Sequence, residues 1–328
     1  MYHQSNSFGT PDNQENHRQD NVIAADKSQW FVRLETRDYY AELKHYHQLI
    51  ESEPNNVAAH YQLGAANLAI ENYPDAIANY NRVIELEPNN AGAYHNRGNA
   101  YTALGDYQAA LADYNRAIEL DRNDAVFYNS RGAVLSYLGD LAQAIASFDE
   151  SLRLNSRYSS AYNNRGNTYA KQGNFESAIA DYNKVIEINP LDGLAFLNRG
   201  IIQYRLGKQL SAIADFTHCL KLNPKYAKAY KNRGIVRAEM TDCEAAIADY
   251  NQAIKLNPTD AHAYYHRALT SCAFDHLVAY QAAIEDFKKA ADLYEQQGQF
   301  DRYELVMDIR EDLIVWIQGI DEVVDSPL

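Results

Sequence analysis

Glycine recurs at positions 64, 98, 132, 166, 200 and 234, and every interval is 34 residues. A chain with that period is a stack of like units, each burying its apolar face only against its neighbours. Aligned on those glycines, the repeats begin at Val57, Ala91, Ala125, Ser159, Gly193, Ala227 and Ala261. Their helix boundaries are written in Leu104-Gly105-Asp106, Leu138-Gly139-Asp140 and Gln172-Gly173-Asn174. A left-handed glycine closes one helix there, and the next residue caps another. Pro88, Pro190, Pro224 and Pro258 close the second helix, because the residue before a proline avoids helical geometry. Alanine recurs at 76, 110, 144, 178, 212 and 246. Together with the periodic glycine it lets the paired helices approach closely where they cross.

The fourth repeat reads Tyr162, Arg165, Gly166, Tyr169, Ala178, Tyr182 and Pro190, at repeat positions 4, 7, 8, 11, 20, 24 and 32. This resembles the tetratricopeptide repeat (TPR) pattern, and the resemblance runs from about residue 30 to residue 297. It implies an all-α fold, a right-handed α-solenoid of seven helix-turn-helix repeats at 57–90, 91–124, 125–158, 159–192, 193–226, 227–260 and 261–297. Residues 39–56 align with 73–90 at the same offset, so 29–56 reads as a degenerate capping repeat with Trp30 at the glycine position. Residues 1–28 are rich in Asn, Gln, Asp, Ser and His and read as a disordered polar segment. The seventh repeat departs from the pattern, with Ala268 at position 8 and three extra residues between Phe274 and Tyr280. Residues 298–328 read as a C-terminal capping helix, with Leu305, Ile309, Leu313 and Trp316 in its apolar set, and an acidic tail.

The net charge is −14, of which residues 292–328 carry −8 through ten acidic residues and two arginines. Bulk binding to nucleic acid or anionic lipid needs a basic face and is disfavoured. Cys219, Cys243 and Cys272 form no CxxC pair and read as reduced thiols, with Cys219 filling a core position. The first twenty residues carry neither a basic start nor an apolar core, and the longest apolar run is Leu313 to Ile317. A cytoplasmic location is therefore expected. No nucleophile elbow, P-loop or dinucleotide-binding glycine cluster is present. His262 and His266 lie four apart without the glutamate of a metalloprotease motif. The chain is expected to be no enzyme and to hold no metal or cofactor.

One correlation runs through the repeats. Position 7 is arginine at Arg97, Arg131, Arg165, Arg199, Arg233 and Arg267, and position 23 is aspartate at Asp113, Asp181, Asp215, Asp249 and, past the insertion, Asp286. The exception sets Arg131 against Ser147, with Asp149 close in sequence, and the repeat with Leu63 carries Asn79. An arginine that appears with aspartate predicts a structural ion pair between the two helices of one repeat, since a charge on a packing face needs an internal partner.

The TPR resemblance further implies that first helices line a concave groove into which positions 2, 5, 6, 9, 12 and 13 point. Asparagine occupies many of these: Asn96, Asn164, Asn198 and Asn232 at position 6, Asn99 and Asn167 at position 9, Asn129 and Asn163 at position 5. This is similar to the asparagine ladder by which some TPR superhelices hold extended peptides, since an amide matches a peptide backbone without demanding a sequence. Soluble consensus use of asparagine is the other reading. Leu194, Leu197, Ile201 and Tyr204 then make an expected apolar patch, rimmed by Lys171, Arg205, Lys228 and Lys231. Such a patch would anchor an apolar side chain beside a carboxylate. The carboxylate clamp of chaperone-binding TPR proteins matches at three of five positions, with Asn163 and Asn232 replacing two of its three cations and Asn167, Asn198 and Lys228 retained. The expected function is a non-enzymatic protein-protein interaction scaffold or assembly factor holding an extended or C-terminal segment of a protein partner. A self-associating homo-oligomer and an RNA-binding helical repeat are the alternatives.

Overall fold

The computed structural model describes residues 39–274 and 276–324, with side chains through 319. The polar segment 1–28, Trp30 with the first half of the capping repeat, and the last four residues of the acidic tail lie outside the described residues. Among the described residues there are sixteen α-helices and no strand. The chain divides into two compact units, Met1–Ile188 and Asn189–Leu328.

Unit 1 begins with α1 (Tyr39–Ser52), followed by four helix pairs. These are α2 (Val57–Ala69) with α3 (Tyr73–Leu86), α4 (Ala91–Leu104) with α5 (Tyr107–Leu120), α6 (Ala125–Leu138) with α7 (Leu141–Leu154), and α8 (Ser159–Gln172) with α9 (Phe175–Ile188). Unit 2 pairs α10 (Gly193–Arg205) with α11 (Gln209–Leu222), α12 (Ala227–Glu239) with α13 (Cys243–Leu256), and α14 (Ala261–Ser271) with α15 (Leu277–Gln296), and closes with α16 (Phe300–Val324). A 3-10 turn, Cys272–Phe274, follows α14 in the seventh repeat, ahead of the inserted residues between Phe274 and Tyr280. Tyr303, Val306, Met307 and Leu313 of α16 pack on the core of α15. Trp316 instead stands edge-on to Tyr280 at 5.0 Å and is partly exposed.

Within a pair, position 8 meets the aromatic ring at position 24. A Cβ on Gly98, Gly132 or Gly166 would lie 2.8, 2.7 or 2.9 Å from the ring of Tyr114, Phe148 or Tyr182. No side chain fits at that separation, so glycine sets how closely the helices cross. The position-20 alanines at 76, 110, 144, 178, 212 and 246 are fully buried at the same crossings.

The turn between paired helices puts position 15 in the left-handed region. Glycine supplies it at Gly139 (φ 90°), while Glu71 and Thr241 hold φ 64° and 65° without that freedom. Asp106, Asp140 and Asn174 then accept bonds from the backbone N–H of Ala109, Gln143 and Ser177. Each thereby satisfies one donor of the next helix's open N-terminus.

The arginines at position 7 are forked. Nε and Nη2 of Arg97, Arg165, Arg199, Arg233 and Arg267 donate side-on to both oxygens of Asp113, Asp181, Asp215, Asp249 and Asp286 at 2.6–2.9 Å. Nη1 reaches back 16 residues into the preceding repeat, to Asn81 from Arg97, to Thr217 from Arg233 and to Asn251 from Arg267. Asp149 serves this second role: it bonds Arg165 at 2.5 Å rather than Arg131 of its own repeat. Position 25, where Asp149 sits, faces the following repeat, so it cannot replace the missing aspartate of its own. Arg131 donates to Ser147 at 3.1 Å instead.

The electrostatic consequence divides the arginines. Burial works against the charge of Arg165, but its bonds to Asp181 and Asp149 overcome that and raise its pKa. Burial pushes Arg131 down, with no aspartate at position 23 to oppose it. Ser147→Asp supplies a carboxylate where the other repeats hold one, and is expected to stabilise the fold by about 1–3 kcal/mol. Asp181→Ala, which leaves a half-buried guanidinium only the exposed carboxylate of Asp149, is expected to cost about 3 kcal/mol, the low end for a broken buried pair. Opposite signs in urea unfolding establish the ladder as structural; equal signs overturn it. In the same assay Thr241→Gly relieves a β-branched residue at positive φ and should gain about 1 kcal/mol.

Candidate functional site

The first helices of unit 1 present a common face, but its expected asparagines are committed inside the stack. Position 5 of one repeat meets position 6 of the next, 35 residues on. Asn96 donates to the Tyr61 hydroxyl at 2.9 Å, His95 Nε2 meets Ser130 Oγ at 3.0 Å, and Asn164 donates to Asn129 Oδ1 at 3.1 Å. Asn129 and Asn163 are accordingly buried.

Position 9 has a separate partner. Asn99 and Asn167 each accept a bond from the position-24 hydroxyl of their own repeat, Tyr114 and Tyr182, at 2.8 Å. The sequence carries a signal for this. Where position 9 is Ala133 or Ile201, position 24 is Phe148 or Phe216, with no hydroxyl to satisfy, although Ile235 stands with Tyr250. Tyr80, in the repeat with Ala65, is fully buried and its hydroxyl has no protein partner. Asn96 and Asn164 remain half-buried, each with one N–H committed to the preceding repeat. Lys171 is exposed and extends back to the Ser136 carbonyl at 3.3 Å.

Unit 2 corrects the expected apolar patch. Leu197 and Ile201 are each only 2% exposed. They occupy positions 5 and 9, which are the stacking positions of the first helix, so they build core and not an open surface. Asn198 is buried as well, whereas Leu194, Tyr204 and Arg205 are half-buried. The Tyr204 hydroxyl donates to Glu239, which also accepts from Gln209 at 3.1 Å.

The residues that α12 sets at the matching positions are polar and half-buried. Lys231 pairs with Asp260 at 2.8 Å. Lys228, one turn earlier, is drawn down in pKa by burial and by repulsion from Lys231, against the attraction of Asp260. Asn232 Nδ2 is buried without a protein partner. Its counterpart at position 5 of the preceding repeat is Leu197, which has no acceptor to offer.

The remaining candidates are structural. His262 binds the Tyr294 hydroxyl through Nδ1 at 2.9 Å and takes a bond from Arg302 at Nε2. Among the described residues no group of three or more His, Cys, Asp or Glu is placed to hold a metal ion. Cys219 is fully buried, and burial pushes its thiol up to about 12. No helix among the described residues is long and apolar enough to cross a membrane.

Burial holds His95 neutral and lowers its pKa from 6.5 to about 4, against the attraction of Asp124 and a bond to Asn96. Above pH 6.5 both folded and unfolded chains leave it neutral. As pH falls below 6.5 the unfolded chain takes up a proton that the folded chain refuses, so stability falls down to about pH 4. The loss should be about 3 kcal/mol, and His95→Gln should show a pH profile flatter by that amount in denaturant melts.

Sequence profiles described as tetratricopeptide repeat match residues 91–124, 159–191, 113–146 and 195–226. A further TPR repeat profile matches 68–105, 135–173 and 242–270. No curated protein matches the chain. Among solved structures, a tetratricopeptide repeat protein from Parabacteroides merdae is 21% identical with TM-score 0.59, covering 80% of this chain and 99% of that one. The APC/C hetero-tetramer Cut9-Hcn1 is 18% identical with TM-score 0.60, over 89% of this chain and 57% of that one. Yeast Tom70 is 14% identical with TM-score 0.59, over 88% and 62%. At these identities the likeness shows the fold alone. With an all-α stack of helix pairs, a 34-residue period and profile matches in both units, the chain belongs to the tetratricopeptide repeat family.

Proposed function

We propose that this chain is a non-enzymatic protein-binding scaffold that holds an extended segment of a partner along the first-helix face, with an acidic group of that segment seated at Lys228 and Lys231. Repeats of this family serve broadly as protein-interaction modules, and the chemistry of α12 gives the reading its detail. The observation that carries it is the pair of lysines one turn apart in a chain of net charge −14, beside a buried Asn232 amide with no protein acceptor. A carboxylate there relieves the repulsion between the lysines. The bond would be charge-assisted and partly desolvated, and so stronger than a surface contact. The anchor is thus cationic.

The test is capture from native lysate on the immobilised full chain and on Lys228→Glu. The variant keeps Lys231 and Asp260 in the sequence and changes only the charge at position 228. An unchanged helical circular dichroism signal shows that it folds. A partner held through this anchor should be lost by about tenfold or more in the variant, and wild-type retention should fall as salt rises. Equal retention of every partner overturns the lysine anchor.

A further inference from the structure

The first turn of α16 is fastened through one imidazole. His262, near the start of α14, meets the Tyr294 hydroxyl of α15 through Nδ1 at 2.9 Å and Arg302 Nη1 of α16 through Nε2 at 2.5 Å. A guanidinium has only N–H groups to offer, so Nε2 must present its lone pair and accept. A neutral imidazole has one N–H, which then sits on Nδ1 and donates to Tyr294. The arrangement admits a single state of the ring, neutral with the proton on Nδ1. Protonation puts an N–H at Nε2, facing a donor that is itself always charged. The bond is lost, and two positive groups are left in contact.

The groups around the ring come from four helices. α15 brings the phenol of Tyr294, and α16 brings Arg302, whose Cζ stands 5.8 Å from the Tyr294 ring. His266 follows one turn along α14, stacked against the Tyr250 ring of α13. The carboxylate nearest in sequence is Asp260, which caps α14 and is held by Lys231 of α12 at 2.8 Å. Its charge is thus already answered by a lysine. What the imidazole fastens is the end of the stack: α16 adds Tyr303, Val306 and Met307 to the core cluster of Phe287, Ala290 and Tyr294. The link from α15 to α16 is the sharp turn Gln297-Gly298-Gln299, with Gly298 at φ 71°. Arg302 lies in the first turn beyond it, where a lost contact acts directly on the joint.

We infer that His262 is a pH-sensitive latch: its protonation releases Arg302, frees the first turn of α16 from α14 and uncaps the apolar end of unit 2. The latch is independent of the lysine anchor. With α16 docked the ring is neutral, and with α16 lifted it titrates as an ordinary histidine at about pH 6.5. Above that pH neither state takes a proton, and docking is at full strength. Below it the lifted state binds a proton that the docked state refuses, so lifting grows by about tenfold per pH unit. Between pH 7.5 and pH 5.5 the lifted population should therefore rise about tenfold.

The test is hydrogen–deuterium exchange of the full chain at pH 7.5 and pH 5.5, read by mass spectrometry and corrected for the intrinsic amide rate. Protection in the first turns of α16 should fall about tenfold more than protection in α11 and α13, which report the general loss of stability in the same molecules. His262→Gln offers an acceptor to Arg302 and a donor to Tyr294 without titrating, and should abolish that excess. Arg302→Gln gives the protonated ring a carbonyl to donate to, and should abolish it as well. The two variants act from opposite sides of the bond, and far-UV circular dichroism shows which of them folds; either one that folds suffices. Protection of wild-type α16 that falls no more than that of α11 and α13 overturns the latch. A wild-type excess that persists in a folded variant also overturns it.

Discussion

The guanidinium at position 7 ties this structure together in two directions. A planar guanidinium directs its donors in a fixed fork. Here two of them bind the aspartate of the facing helix and one reaches the previous repeat, while the plane lies over the ring at position 4. Arg97 Cζ stands 5.4 Å from the Tyr94 ring, and Arg165 and Arg233 repeat the arrangement on Tyr162 and Tyr230. The fork closes only if the helices cross closely, and glycine at position 8 sets that distance. The Cβ of Asp181 would lie 3.3 Å from a Cβ on Gly166. Backbone approach and charge pairing are thus one constraint: widen the crossing and the carboxylate withdraws from a guanidinium already removed from water.

That coupling explains what could be read in advance. Glycine, alanine and proline report backbone demands that each repeat meets in the same way, so a period of 34 exposes them directly. The Arg/Asp correlation was legible for the same reason, because both partners lie in one repeat. The pairings across repeats were harder. Asn96 with Tyr61 and Asn164 with Asn129 are joined at an offset of 35, and one position cannot be aligned against itself to reveal them. Leu197 and Ile201 looked like an open patch because positions 5 and 9 serve the stack or the solvent according to what the adjoining repeat presents. The link between Asn at position 9 and Tyr at position 24 was available in the sequence. It becomes informative only once the hydroxyl of Tyr114 is seen to end on Asn99.

The polar chemistry of the first helices follows from the same economy. Asn99 and Asn167 keep buried hydroxyls satisfied, and His95 serves its neighbour through Ser130. Surface chemistry is therefore carried by the few positions released from these duties. At the groove positions of unit 1 the residues are almost free of charge, and in unit 2 they include Lys228 and Lys231, the latter paired with Asp260. One fold presents two kinds of surface because the internal ladder of arginine and aspartate runs beneath both of them.

The exchange at Arg131 has a mechanical meaning. A stack held by neighbour contacts carries tension through its successive interfaces, and under load it parts at the weakest one. Three of the four described pairs in unit 1 are otherwise well secured: two by a side-on carboxylate and one by the apolar Leu63 in place of arginine. The pair α6/α7 holds its guanidinium with a serine hydroxyl, while its nearest carboxylate, Asp149, is given to the following repeat. Within the ladder of unit 1, α6/α7 is thus the pair whose guanidinium has no carboxylate from its own repeat to answer it.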